Sequence, residues 1–291
     1  MSSKTGSVLG VFAVATTLII VAGCGGGTNS DTVRNKPDDV PVVAKNDGSK
    51  NSSSDKPTKQ GGSGQPYTAD MAKGSIKGVV SFEGKAPKMT NIAISEESCK
   101  MHHGDKGLKK EDLVVSEDGK VANVVVYVSD DMNKTYNFDA FQLPNAHINQ
   151  LGCQYLPHVL AMMTGQRLDI ESSDPVGHNI HGIPTSSEAF NLSQTSKGIL
   201  PNHPKFDSPE LGAVIKCDVH GWMKALVCVF DHPFFAVTND KGEYEIKLPP
   251  GSYTVTSWQE IGKTKVVGSA PVKVTVAADK AGEANFTYKN K

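Results

Sequence analysis

Beyond residue 74 the apolar positions fall in short runs, most with a period of two, separated by Gly, Pro and Asp. Ser75-Ile76-Lys77-Gly78-Val79-Val80-Ser81-Phe82 is one such run and stops at Glu83-Gly84. A β-branched stretch from Val121 to Val128 is entered from the turn Asp118-Gly119, and Arg167-Leu168-Asp169-Ile170 alternates into Asp174-Pro175. Further runs occupy 213–217, 224–230, 234–238, 243–248, 253–258, 272–276 and 284–288. Successive side chains of a strand point to opposite faces, so alternation of this kind marks strands. No stretch sustains a helical period over three turns, although a short helical turn is predicted near Glu96 to Met101. Short strands at near-regular spacing predict an all-β chain of sandwiches and not a parallel sheet.

The two ends of the pattern differ. Lys4 is followed by an apolar stretch from Val8 to Val21 and by Val21-Ala22-Gly23-Cys24. This is shorter than a membrane span and has the flanks of a signal segment, so residues 1–24 are read as a signal peptide. Small residues before a cysteine resemble the bacterial lipobox, which implies lipidation of Cys24 and a mature protein that starts there. Residues 25–73 hold Gly25-Gly26-Gly27, Asn51-Ser52-Ser53-Ser54 and Gly61-Gly62-Ser63-Gly64 among Lys and Asp. Such composition buries too little surface to offset chain entropy and is read as a disordered tether. The expected location is the cell envelope, with the lipid in the membrane and the folded part facing the periplasm or the exterior.

Roughly two hundred residues remain, enough for one large or two small domains. The strands at 75–82 and 121–128, within an N-terminal β segment 74–137, have no evident partner there. They complete one of two sandwiches, 138–231 or 232–291, which are therefore sequential or interleaved. The formal net charge of −1 and the absence of a basic stripe exclude nucleic acid as an expected partner.

Candidate chemistry is concentrated in Cys217-Asp218-Val219-His220-Gly221-Trp222-Met223 together with His178-Asn179. A thiolate, an imidazole and a thioether on one loop, with a second imidazole upstream, are the donors of a trigonal His₂Cys site with a long axial Met, and soft sulfur favours copper. Trp222 and Leu226 are expected to supply an apolar surround. No Ser-His-Asp frame, carboxylate pair or phosphate-cradling Gly loop stands out, so no enzymatic activity is expected. A buried Cys, a surface His and a packing Met would be the bland alternative for the same loop.

Residues 159–231 resemble a cupredoxin, closest to the amicyanin type. The resemblance rests on Gly165-Gln166-Arg167-Leu168-Asp169-Ile170, on Asp174 to Ile180, and on Cys217 to Met223 in that order. It implies a Greek-key sandwich, one type-1 copper held by His178, Cys217, His220 and Met223, and Asn179 tying the two ligand loops together. It also implies electron transfer through the His220 edge to a redox partner docking there. Residues 235–255, with Asp240-Lys241-Gly242 and Leu248-Pro249-Pro250-Gly251-Ser252-Tyr253, resemble the carboxypeptidase regulatory-like, transthyretin-type sandwich. The combination is similar to methylamine-utilisation-like bacterial copper proteins. Its expected role is single-electron carrier, with copper holding or delivery, or a metal-free structural or carbohydrate-interacting surface lipoprotein, as alternatives.

The sequence has five cysteines. Apart from Cys24 and Cys217, Cys228 reads as a small core residue on a strand. Cys99 and Cys153 lie in an exported chain, which favours a disulfide between them, while their neighbours His102, His103 and His158 leave a second metal site as the other reading. His181 repeats a His-x₂-His spacing after His178 and is read as a strand-edge residue without metal. His158 and His232 adjoin proline and are read as turn caps; His147 and His203 have no partner that the sequence names.

Overall fold

The period-two runs become strands, and the computed structural model, which describes residues 63–260 and 266–291, is all-β apart from one short helix and three single 3₁₀ turns. Segment 1–24 with Cys24, and the tether as far as residue 62, lie outside the described residues. The longer strands are β1 (Gly74–Glu83), β2 (Val125–Val128), β3 (Ala146–Gln150), β4 (Val159–Met163), β5 (Leu168–Ser172), β6 (His178–Ile183) and β7 (Phe190–Gln194). They continue with β8 (Glu210–Lys216), β9 (Lys224–Phe230), β10 (Phe235–Val237), β11 (Glu243–Leu248), β12 (Gly251–Trp258), β13 (Val272–Val276) and β14 (Phe286–Asn290). The helix, α1, spans Glu97–His103.

Two sandwiches result. In the first, a sheet ordered β4-β9-β8-β6-β7 faces a sheet in which β3 and β5 are central, and Ile148, Leu168, Ile170, Ile180, Ile215, Val227 and Val229 fill the space between them. In the second, β10-β2-β12-β13 faces a sheet that runs β11-β1-β14, around Ile76, Val80, Val126, Val255, Val274 and Phe286. The strands that the sequence leaves unassigned are therefore both in the second sandwich. β1 is central there, pairing β11 on one side and β14 on the other, and β2 lies between β10 and β12. The chain begins the second sandwich, leaves to build the first, and returns.

A third apolar cluster joins them: Val125, Val159, Leu226, Cys228 and Phe230, with Tyr127, Phe235 and Trp258 packed against it. This explains why Lys224–Phe230 reads as an unbroken apolar run. Ala225, Val227 and Val229 face the core of the first sandwich, and Leu226, Cys228 and Phe230 face the second sandwich. A strand buried on both faces has no reason to alternate. Gly212 marks the tightest approach: it sits at φ +77 in a bulge of β8, and a Cβ there would lie 2.6 Å from the Trp258 ring.

Three sequence expectations need correction. The run from Val121 to Val128 is not one strand, because Asn123 takes φ 61 and separates Val121–Ala122 from β2. Leu226 does not surround the candidate metal loop, since alternation turns it into the cluster between the sandwiches. The tether does not extend to residue 73: Gln65–Pro66 pairs with Tyr136–Asn137, and Tyr67 is buried among Tyr136, Phe138, Phe141 and Phe234. One aromatic side chain in an otherwise polar stretch anchors that segment.

Candidate metal centre

Register brings the donors together. β6 runs antiparallel to β8 with His181 opposite Lys216, so the residues before His181 lie level with the loop that follows Lys216. His178, the first residue of β6, therefore stands beside the 217–223 loop. That loop is closed by two backbone bonds, Met223 N–H to the His220 carbonyl at 2.8 Å and Cys217 N–H to the Met223 carbonyl at 3.2 Å. The donor atoms of His178, Cys217 and His220 all lie within 4.8 Å of one another, and all three residues are buried. Met223 is 1% exposed and belongs to the same apolar cluster as Cys217.

Each donor is held by a specific neighbour. His178 Nδ1 faces His220 Nδ1 at 2.9 Å, and its Nε2 lies 2.9 Å from Asp174 Oδ2. Burial disfavours a charged His178, but bonds to Asp174 and Cys217 and the charge of both outweigh it and push its pKa up to about 9. Burial and the positive His178 both lower the pKa of His220, whose Nδ1 faces that of His178 across the 2.9 Å contact. Burial raises the Cys217 thiol, yet His178 and the N–H groups of Asn179, His220 and Val219 overcome it and leave the pKa below the ordinary thiol value. The His220 N–H, for example, donates to Cys217 Sγ over 3.3 Å. The pocket thus stabilises a thiolate beside two ring nitrogens that point at each other.

Asn179 spans both loops. Its Oδ1 accepts the Asp218 N–H at 2.7 Å and lies 3.3 Å from Cys217 Sγ, while its Nδ2 donates to Asn191 Oδ1 and Asp218 Oδ2. Tyr155 donates its hydroxyl to the Asn179 carbonyl at 2.5 Å. Trp222 packs at a tilt against His220, with ring centroids 5.1 Å apart, and donates Nε1–H to the Cys153 carbonyl at 3.0 Å.

Cys99 and Cys153 form a disulfide across 54 residues, tying α1 to the turn at 151–154. The N–H groups of Gly152 and Cys153 donate to the two oxygens of Asp174 at 2.6 and 2.8 Å. Burial would raise the Asp174 carboxyl, but His178 and these two N–H groups hold it down. Asp174 and the Cys153 turn were not singled out by the sequence as part of the site. The available signal was the carboxylate four residues before His178, on a turn tight enough for the two side chains to meet.

The remaining histidines have other partners. His158 lies 2.8 Å from Glu260, a residue that also pairs with Lys224, and 3.8 Å from Glu111. His147 meets Glu171 at 2.9 Å, His203 meets Asp169 at 3.3 Å, and His181 meets Asp218 at 2.9 Å. His232 accepts the Phe234 N–H, as a turn cap does. Cys228 is buried on β9, and burial pushes its thiol up to about 12, which leaves it inert as a thiolate source.

Comparison with models of protein families finds no match, and comparison with curated protein sequences finds none. Solved structures do resemble part of the chain. A copper-containing nitrite reductase from Thermus scotoductus is 17% identical over 32% of this chain and 24% of its own, with a TM-score of 0.28. A purple cupredoxin from Nitrosopumilus maritimus is 21% identical over 30% of this chain and 100% of its own, with a TM-score of 0.26. A Cu(I) amicyanin variant is 14% identical over 31% of this chain and 88% of its own, with a TM-score of 0.26. This chain thus spans about a quarter of the reductase, and each of these three likenesses covers about a third of this chain.

Proposed function

We propose that this protein is a type-1 copper protein that carries single electrons, held at the cell envelope through a lipid on Cys24. The observation that carries the reading is the buried convergence of His178, Cys217 and His220 donor atoms within 4.8 Å. The donor set fits copper: two imidazoles and a thiolate with a buried thioether at the end of the same loop, in a dry apolar surround. Copper bound there would supply a one-electron couple at nearly constant geometry.

The protein's own residues do the rest. Asp174 fixes the ring of His178 from its far nitrogen, which leaves Nδ1 directed at the pocket. Backbone N–H groups at Cys217 hold charge on sulfur, and Asn179 keeps the two loops in register. The redox partner docks around His220, where the half-buried Trp222 and the exposed Val219 present apolar surface. With three donors converging and Met223 buried at the end of the same loop as the fourth, no open position for a substrate is expected, and no catalysis is proposed. Copper-loaded protein should show a reversible one-electron wave and an intense visible thiolate band; copper bound without either would contradict the reading.

Copper holding or delivery is the second reading, and the burial of His220 favours it, since that ring is only 5% exposed. A bound Cu(I) with no reversible couple would select it.

A further inference from the structure

Beyond the first three donors, the same end of the sandwich holds a second set. The sulfurs of Cys99 and Cys153 and a ring nitrogen of His220 lie within 4.8 Å of one another, and all three residues are buried. A third set, Cys153 Sγ with Asp174 and His178, meets the same criterion. Cys153 is therefore within reach of both imidazoles that flank Cys217. Cys99 lies on α1, which is seven residues long and whose His103 Nε2 contacts the Gly152 carbonyl at 2.6 Å.

The geometry points to a redox-gated second metal site: the dithiol form of Cys99 and Cys153, with His220 as a shared donor, binds Cu(I). In the disulfide form the sulfurs are poor donors and the site is closed. A dithiol reductant opens it. The S–S bond breaks, two electrons and two protons make two thiols, and the reductant closes its own disulfide. Binding then releases the thiol protons to solvent, leaving two thiolates and an imidazole, a soft donor set suited to Cu(I). Reduction thus creates a competing Cu(I) site that shares a ligand with the first, which gives a route by which the ion is handed on. The inference rests on the copper reading only in the choice of metal.

The test uses the full chain with Cys217→Ser, so that the first site lacks its thiolate. Anaerobic Cu(I) titration against a chromophoric chelator compares the disulfide form with the phosphine-reduced form, and near-ultraviolet circular dichroism confirms that both are folded. The reduced form should bind one Cu(I) about a hundredfold more tightly than the disulfide form. Adding Cys99→Ser should abolish that gain, and X-ray absorption should find two sulfur neighbours in the reduced single variant but not in its disulfide form. Adding His220→Gln instead should weaken the reduced site about tenfold or more. Equal affinity in the two forms, or a gain that survives Cys99→Ser, overturns the proposal; Cys228 is common to all variants and cannot produce the difference. Wild-type protein that stays colourless with Cu(II) would instead sink the blue-copper reading and leave these outcomes intact.

Discussion

Asn179 illustrates how much one side chain carries at the metal end. It uses both polar atoms across the two loops, and is itself buried beneath its exposed partners Asp218 and Asn191. Asn179→Ala removes the acceptor of the Asp218 N–H, a loss worth about 0.5–1.5 kcal/mol where water can take its place. Chemical denaturation should show that decrease, with an unchanged slope. Asp174 is equally open to test, because its oxygens serve two backbone N–H groups and the His178 imidazole at once. Asp174→Asn keeps the size but cannot accept at both oxygens, so copper affinity should fall about 10- to 100-fold. Competition with a chelator checks it, and an unchanged affinity would remove Asp174 from the account.

At the level of elements, the ion-pair group at the end of β12 is pH-sensitive. Burial alone would raise the Glu260 carboxyl, but His158 and Lys224 hold it below the ordinary value of 4.5. A depressed folded-state pKa adds stability that is fully present above about 4.5 and is lost as pH falls through the lowered value. Wild-type stability should therefore drop on acidification below that point, and Glu260→Gln should remove that part of the pH dependence. Strands were the most legible elements in the sequence. Leu168–Ser172 and Glu243–Leu248 alternate because one face is buried, and Lys224–Phe230 does not because both are. Asn123 marks a break, because Asn takes the left-handed region more readily than most other residues with a Cβ, a signal that the apolar run around it obscured. The loop donors were legible because they are three residues apart, whereas the Cys153 turn reaches Asp174 and Trp222 only through folding, 21 and 69 residues away.

The whole molecule is built on return of the chain. β1 and β2 enter the second sandwich before the first is made, and pairings of β1 with β11 and β14 span most of the folded length. Local pattern does not encode such long-range register, which is why the sequence left these strands open. A fragment comprising 232–291 lacks the central strand of one sheet and an inner strand of the other. It should be unfolded by circular dichroism, and a folded fragment would contradict the topology. The cluster between the sandwiches should couple them: Leu226→Ala, buried there, should cost about 2–5 kcal/mol without altering the metal loop.

If Cys217 is the thiolate of a copper site with His178 and His220, the visible spectrum of copper-loaded protein reveals it. An intense thiolate-to-Cu(II) absorption is expected at one copper per chain, absent from Cys217→Ser protein that remains folded. Copper bound without that absorption, or an absorption that persists in Cys217→Ser, would contradict it.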